Sequence, residues 1–89
     1  MIERELLVTN RLGLHARATA RLVQLLSGYR CNVTLTAKGR EVNAKSIMGV
    51  MLLAAGPGTT LLLQADGPDE TTAVAAVVDL FERKFDEES

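Results

Sequence analysis

Apolar side chains follow two different spacings in this 89-residue chain, and their order along the sequence limits the possible folds. Alternation at every second residue, typical of a strand with one buried face, occurs at 2–8, 33–37 and 60–65. A spacing of three and four residues, typical of a helix with one buried face, occurs at 16–27 and 73–80. The chain therefore mixes short strands with short helices.

Turn-forming residues separate these segments and predict their boundaries. The predicted boundaries are a helix end at Gly28, a turn at Lys38-Gly39 leading into a third strand over 41–43, an N-cap at Ser46 ahead of a short helix over 47–54, a break at Gly56–Gly58, and an N-cap at or beside Asp69. The last helix is predicted to bury Ala73, Ala76, Val77 and Leu80. The final residues FDEES are predicted to be a solvated acidic tail.

The predicted order is strand, helix, strand, strand, helix, strand, helix. Links of hairpin length favour an antiparallel sheet, so we expect an α+β fold with four strands and three helices on one face, an open-faced sandwich. A chain of 89 residues suffices for one core, and we expect residues 1–89 to form a single domain. The pattern predicts the elements better than it predicts how the strands pair.

Composition narrows the possible environments and cofactors. No apolar run approaches the ~20 residues of a membrane helix, and the N-terminus lacks a signal-like apolar region. Cys31 is the only cysteine, which fits a reducing cytoplasm, and we expect it to pack as a small apolar residue near a strand edge. One histidine and one distant cysteine are too few for a metal site, so we expect neither a metal nor a cofactor.

Charge is divided unevenly along the chain although the net charge is only −1. Residues 1–45 carry a net charge of +5 and residues 46–89 carry −6. This division indicates attraction between the basic half and an acidic partner or an anionic group. Nucleic acid is a weaker candidate, because the aromatic residues that would stack on bases are few and scattered.

The stretch NRLGLHARATA holds the only histidine, His15, at the predicted start of a helix. Arg11 and Arg17 flank it, and no acidic residue is near in sequence to orient it as in a Ser-His-Asp triad. Helix N-termini bind phosphate, and an arginine fork donates to phosphate oxygens. We therefore interpret His15 as a nucleophile that carries phosphate, with Arg17 stabilising the group. The alternative is an exposed loop histidine without a role.

A second unusual stretch, NAKSIMGVM, places Ser46 before a short helix that is apolar almost all round. Such a methionine-rich helix suits an adaptable docking surface. The predicted apolar patch comprises Leu14, Ala20, Ile47, Met48 and Met51, and its predicted basic rim comprises Arg11, Arg17, Arg21 and Lys45. The alternatives are core packing for the apolar residues and simple helix capping for Ser46.

The segments GLHAR around His15 and KSIMGVM after Lys45 resemble the two signature regions of the HPr family, the histidine-containing phosphocarriers of the bacterial phosphoenolpyruvate-dependent phosphotransferase system. The resemblance covers essentially the whole chain. It implies the same sheet and helices, phosphorylation of His15 on Nδ1 by enzyme I, and transfer to enzyme IIA domains. It also implies that Arg17 stabilises the phosphoryl group and that Ser46 is a regulatory serine for an HPr kinase/phosphorylase.

By this resemblance we expect a phosphocarrier for sugar transport rather than an enzyme. A carrier that offers one face to several partners is most simply a monomer, and from the composition we expect it in the cytoplasm, with no nucleic-acid partner and no membrane insertion. Residues 67–89 also resemble the nitrogen-related paralogue NPr, so a nitrogen-branch carrier is one alternative. A binding or regulatory module without chemistry is another. The family usually has proline at the position of Ala18; alanine is a good helix former, so we expect the helix to form with a slightly looser first turn.

Overall fold

The computed structural model describes residues 1–87 and has the order of elements that the sequence predicts. The elements are β1 (Ile2–Leu7), α1 (Ala16–Leu26), β2 (Asn32–Ala37), β3 (Arg40–Asn43), α2 (Ile47–Leu52), β4 (Thr60–Asp66) and α3 (Glu70–Glu82). Each predicted boundary lies within two residues of the observed one, and the largest difference is the end of α2. None of the helices within these 87 residues is long and apolar enough to cross a membrane.

The four strands form one antiparallel sheet in the order β1-β4-β2-β3. In the centre of the sheet Leu35 lies opposite both Leu63 and Val42. Alternate side chains of β2 and β4 are buried under the helices, whereas Leu62 on the other face is exposed. This arrangement confirms the α+β open-faced sandwich, because one side of the sheet faces solvent.

The core is mainly aliphatic, with Phe81 and Phe85 as its aromatic members, and α1 and α3 supply much of it. Leu22 and Leu26 of α1 are fully buried. In α3 the buried stripe is Ala73, Val74, Val77, Leu80 and Phe81, so the prediction of Ala76 in that stripe is wrong and Val74 takes its place. Ala76 is only half-buried, because the face of α3 that meets the sheet is rotated slightly from the predicted one.

Two helix ends, Gly28 after α1 and Asp69 before α3, lie at the predicted positions but lack the expected capping interactions. Gly28 follows α1 but does not adopt the left-handed conformation of a C′ glycine; Ser27 ends the helix, and its N–H donates to the carbonyls of Val23 and Leu25. Asp69 precedes α3, yet its carboxylate accepts from the backbone N–H groups of Arg30 at 2.8 Å and Cys31 at 2.9 Å instead of capping. These bonds, Arg30's first, lower the pKa of Asp69.

The prediction of a solvated tail is wrong for two of its residues. Phe85 is 1% exposed, and its ring centroid lies 4.7 Å from that of Phe81. Glu87 is half-buried. Burial of an aromatic ring removes a large apolar surface from water, which holds the tail against the domain. The remaining tail residues, Glu88 and Ser89, lie outside the described part of the chain.

Candidate functional site

His15 is the N-cap residue of α1. Its backbone is extended, with φ −75° and ψ −177°, and its carbonyl accepts the N–H of Thr19 at 2.9 Å. The ring atom Nδ1 accepts from the backbone N–H of Arg17 at 3.4 Å. Backbone N–H groups in the first turn of a helix have no acceptor within the helix. The Nδ1 side of the ring therefore faces the positive end of the helix.

The loop before His15 is fixed by close contact with the segment that follows α2. Gly13 has φ 67°, and a Cβ at this position would lie 2.6 Å from the carbonyl oxygen of Ala55, so only glycine fits. The next residue, Leu14, donates its N–H to the same carbonyl at 2.9 Å. Leu14 is 5% exposed, so the expectation that it lines the exposed apolar patch is wrong. Its side chain instead packs in the core and holds the loop in place.

A carboxylate contacts the other nitrogen of the ring. His15 Nε2 lies 2.6 Å from Oε2 of Glu87, which is 72 residues away in sequence. The amide of the buried Asn10 donates to Oε1 of Glu87 at 2.9 Å and to the carbonyl of Gly13 at 2.8 Å. The sequence expectation of a histidine without an acidic partner is therefore wrong. The partner comes from the tail, whose separation in sequence hid it.

These contacts show which of the two nitrogens carries the proton when the His15 ring is neutral. The hydrogen bond from Asn10, and after it the bond with His15, holds the pKa of the Glu87 carboxyl below its ordinary value, so this group is ionised at neutral pH. An ionised carboxylate only accepts hydrogen bonds, and the backbone N–H of Arg17 only donates. Nε2 therefore carries the proton, and Nδ1 presents its lone pair toward the start of α1.

The predicted cations around His15 have different environments. Arg17 is exposed and forms no ion pair with any residue in 1–87, so its guanidinium is available to an anion. Arg21 is half-buried and donates to the carbonyl of Phe85, and Lys45 donates to the carbonyl of Tyr29 at 2.6 Å. Both of these side chains hold neighbouring segments of the chain in place.

Ser46 caps α2, as the sequence predicts. Its backbone is extended, and Oγ accepts from the N–H of Gly49 at 3.1 Å. Gly49 costs helix propensity, but a Cβ there would come within 3.3 Å of the carbonyl oxygen of Asn43 and within 3.4 Å of the Ser46 hydroxyl. The glycine therefore keeps space around the serine side chain.

An exposed apolar surface lies on α2, which packs against α1. Met48 is 78% exposed, Ile47 46% and Met51 44%. These three residues are called the apolar patch below. Ala20 on α1 is also exposed, in agreement with its predicted position at the surface. Leu12 and Leu52 are exposed as well, and the sequence reasoning missed both.

Comparison with known proteins gives a consistent result. Residues 2–83 match the family model described as the PTS HPr component phosphorylation site. The chain belongs to the HPr family. It is 62% identical over 89 residues, covering all of both chains, to the phosphocarrier protein HPr of Xylella fastidiosa strain 9a5c.

Solved structures agree with this family at the level of the fold. A crystal structure of HPr-C-His from Thermoanaerobacter tengcongensis matches with a TM-score of 0.96 and 43% identity, covering all of both chains. A crystal structure of an HPr dimer from the same organism matches with a TM-score of 0.79 and 42% identity over 98% of this chain and all of that one. The family model ends at residue 83, so Glu87 lies beyond the residues that it matches.

Proposed function

We propose that this HPr-family chain is a phosphocarrier whose His15 accepts a phosphoryl group on Nδ1 from enzyme I of the phosphoenolpyruvate-dependent phosphotransferase system. It then passes the group to enzyme IIA domains. The observation that carries the proposal is the orientation of the His15 ring. Nε2 is occupied by Glu87, and Nδ1 faces the N–H of Arg17 at the start of α1.

The transfer needs few groups from the chain. The Nδ1 lone pair forms a bond to phosphorus while the bond between phosphorus and the donor breaks, and the electron pair of that bond leaves with the donor. First-turn N–H groups of α1 stabilise the negative oxygens, together with the guanidinium of Arg17, which forms no ion pair within residues 1–87. Because the group rests on the chain and leaves unchanged, the chain acts as a carrier rather than an enzyme.

We infer that partners dock on the apolar patch. An apolar centre with cations around it suits a transient interface with an acidic partner. Ala20 and the cations Arg17, Arg21 and Lys45 belong to this proposed surface. Leu14 contributes from beneath, through the loop that it holds.

Met48→Asp tests this docking surface. A charge in the middle of the apolar patch should weaken binding to enzyme I by about tenfold. Because Met48 is 78% exposed, the melting temperature should stay within about 2 °C of the parent. Calorimetric titration and thermal unfolding measure the two effects. Leu7→Asp, the same kind of change at an exposed position of β1, is the matched control. A large loss of stability in Met48→Asp, or equal weakening in both variants, would remove Met48 from the interface.

We further propose that Ser46 is a site of regulatory phosphorylation by an HPr kinase/phosphorylase where the organism has one. The half-buried hydroxyl, the adjacent glycine and the neighbouring apolar patch support this role. A phosphate there would add about −1.5 to −2 charges beside the docking surface. Acidic partners would then be repelled.

We infer that the carrier works in the cytoplasm. We also infer that it is a monomer, because successive partners need the same apolar patch. One relative from Thermoanaerobacter tengcongensis has been crystallised as an HPr dimer, so the assembly must be measured. Sedimentation of the unphosphorylated and phosphorylated chain measures it directly. A dimer that persists at low concentration and blocks enzyme I would contradict a monomeric carrier.

The central experiment is incubation of the chain with enzyme I and phosphoenolpyruvate. We expect one phosphoryl group per chain, labile in acid and stable in base, as a phosphorus–nitrogen bond is. Nitrogen NMR of the product should assign the bond to Nδ1 of His15, and addition of an enzyme IIA domain should remove the group. Absence of phosphate on His15, or phosphate on Nε2, would contradict the proposal.

A further inference from the structure

The tail after α3 follows an unusual backbone path. Lys84, Phe85 and Asp86 have φ values of 53°, 57° and 61°, a conformation that costs energy for residues other than glycine. The N–H of Glu87 donates to the carbonyl of Lys84 at 3.0 Å and closes this turn. The turn reverses the chain and brings Glu87 to the start of α1.

Two further contacts hold the turn in place. The Phe85 ring is buried against Phe81, and the guanidinium of Arg21 donates to the Phe85 carbonyl. Arg21 lies on α1, six residues after His15, so the same helix that presents the ring also fixes the tail. Glu87 is therefore positioned by a packed turn.

The Glu87 carboxylate is oriented by both of its oxygens. Oε1 accepts from Asn10 and Oε2 faces His15 Nε2, and the side chain of Glu87 is only 13% exposed. Asn10 is itself held by the Gly13 carbonyl. The carboxylate contacts the ring on the nitrogen that the carrier chemistry does not use, so it leaves Nδ1 open.

We propose that Glu87 is a positioning residue for phosphoryl acceptance: its carboxylate holds the Nε2–H form of His15 and balances the positive charge that the ring gains when Nδ1 bonds to phosphorus. This inference rests on the proposed function. As the phosphorus–nitrogen bond forms, Nε2 keeps its proton and the ring becomes a cation. The hydrogen bond to Glu87 then becomes an ion pair, and onward transfer returns the ring to its neutral form.

The test compares Glu87→Ala and Glu87→Gln with Glu82→Gln. Glutamine retains the size of the side chain and an oxygen that can accept from His15, but it removes the charge. Glu82 is an exposed carboxylate at the end of α3, so its change controls for the loss of one negative charge. The rate of phosphoryl acceptance from phosphorylated enzyme I is measured under single-turnover conditions, beside thermal unfolding.

We expect Glu87→Ala to slow acceptance by about tenfold and Glu87→Gln by a smaller factor, as for other groups that act through a neighbouring ligand or nucleophile. Glu82→Gln should match the parent. NMR of the unphosphorylated chain supplies a second reading. The Nε2–H proton of His15 should be resolved and shifted downfield in the parent, and it should lose that shift in Glu87→Ala.

Unchanged rates in both Glu87 variants would overturn the inference. So would faster acceptance, which would mean that the tail obstructs the donor, or slower acceptance with an unchanged Nε2–H signal. The parent chain separates this failure from failure of the proposed function. If the parent itself takes no phosphate on His15, the carrier proposal fails. If the parent takes phosphate and both Glu87 variants take it at the parental rate, only the role of Glu87 fails.

Discussion

The helices α1 and α2 both begin with a residue whose side chain accepts a backbone N–H, but the two caps are held differently. At α1, His15 Nδ1 accepts from Arg17 at 3.4 Å, and Glu87 holds the opposite nitrogen. At α2, Ser46 Oγ accepts from Gly49 at 3.1 Å, and Gly49 leaves space around the hydroxyl. The first cap is held from two sides and the second from one.

The difference separates two kinds of helix cap. The bond at Nδ1 is long, so the helix gains little from it, and the second contact serves the orientation of the ring. The bond at Ser46 is of ordinary length and serves the helix directly. In this chain the longer cap bond belongs to the proposed nucleophile, which has a second anchor, whereas the bond of ordinary length belongs to a cap that serves its helix.

The strongest way to break this comparison is to remove each cap in turn. His15→Ala should abolish phosphoryl acceptance from enzyme I and change the free energy of unfolding by no more than about 1 kcal/mol. Ser46→Ala should leave acceptance intact and cost about 1 kcal/mol, as loss of a serine cap does. Radiolabel transfer and urea unfolding measure the pair. Residual phosphate on the His15→Ala variant would contradict the distinction between a cap that carries the chemistry and a cap that only stabilises its helix.

A smaller effect is expected at the cation beside the first cap. Arg17→Ala should keep phosphorylation on His15 and slow its rate by about tenfold, because one charge-assisted contact contributes ~1.5–3 kcal/mol. Arg4→Ala, which removes an exposed charge from β1, should transfer at the parental rate. Stopped-flow transfer compares them. If Arg17→Ala also matches the parent, backbone N–H groups suffice to hold the phosphoryl oxygens.

A charge at the second cap sharpens the comparison further. Ser46→Asp should preserve the melting temperature, because aspartate caps as well as serine, and should slow phosphorylation of His15 by about two- to fivefold. High salt should reduce the slowing. Thr71→Asp adds the same charge to the first turn of α3 and serves as the control. Transfer by Ser46→Asp at the parental rate in low salt would leave Ser46 a cap only.

The smallest effect concerns the second anchor of the first cap. Because the pKa of Glu87 is lower in the folded chain than its ordinary value of 4.5, the ionised carboxylate stabilises the fold above that value. This stabilisation is lost as the pH falls through the lowered pKa. The difference in unfolding free energy between the parent and Glu87→Gln should therefore be present at pH 7 and shrink below about pH 4.5. Urea unfolding of both chains at several pH values measures it; a difference that grows in acid would contradict the lowered pKa.

The elements were predictable because their signals are local. Alternation in β2 and β4 and the spacing of Leu22 and Leu26 reflect one buried face each. The strand order was not predictable, since alternation fixes which face a residue occupies and not which strand lies beside it. The exchange of Ala76 for Val74 in the α3 stripe reflects a small rotation of that helix, which the periodicity does not resolve.

The site was predictable only on the side of the histidine that is close in sequence. Short motifs at the starts of helices identify three of the candidate residues, namely His15, Arg17 and Ser46. Glu87 reaches the ring through a turn of left-handed backbone, and a chain of ordinary residues gives no sign of such a turn. The one available signal was Phe85, an aromatic residue inside an acidic tail and four residues after Phe81.

The position of β4 in the sheet has a consequence for the order of folding. This strand lies between β1 and β2, so β1 has no partner strand until β4 is in place, and Ile2 pairs with Ala65. Without β4, only the hairpin of β2 and β3 can pair. Closing such long loops is entropically costly and slows folding. Until β4 joins, the sheet against which α3 packs is incomplete. His15 is encoded early in the chain, but its contact with Glu87 depends on the segment that follows α3.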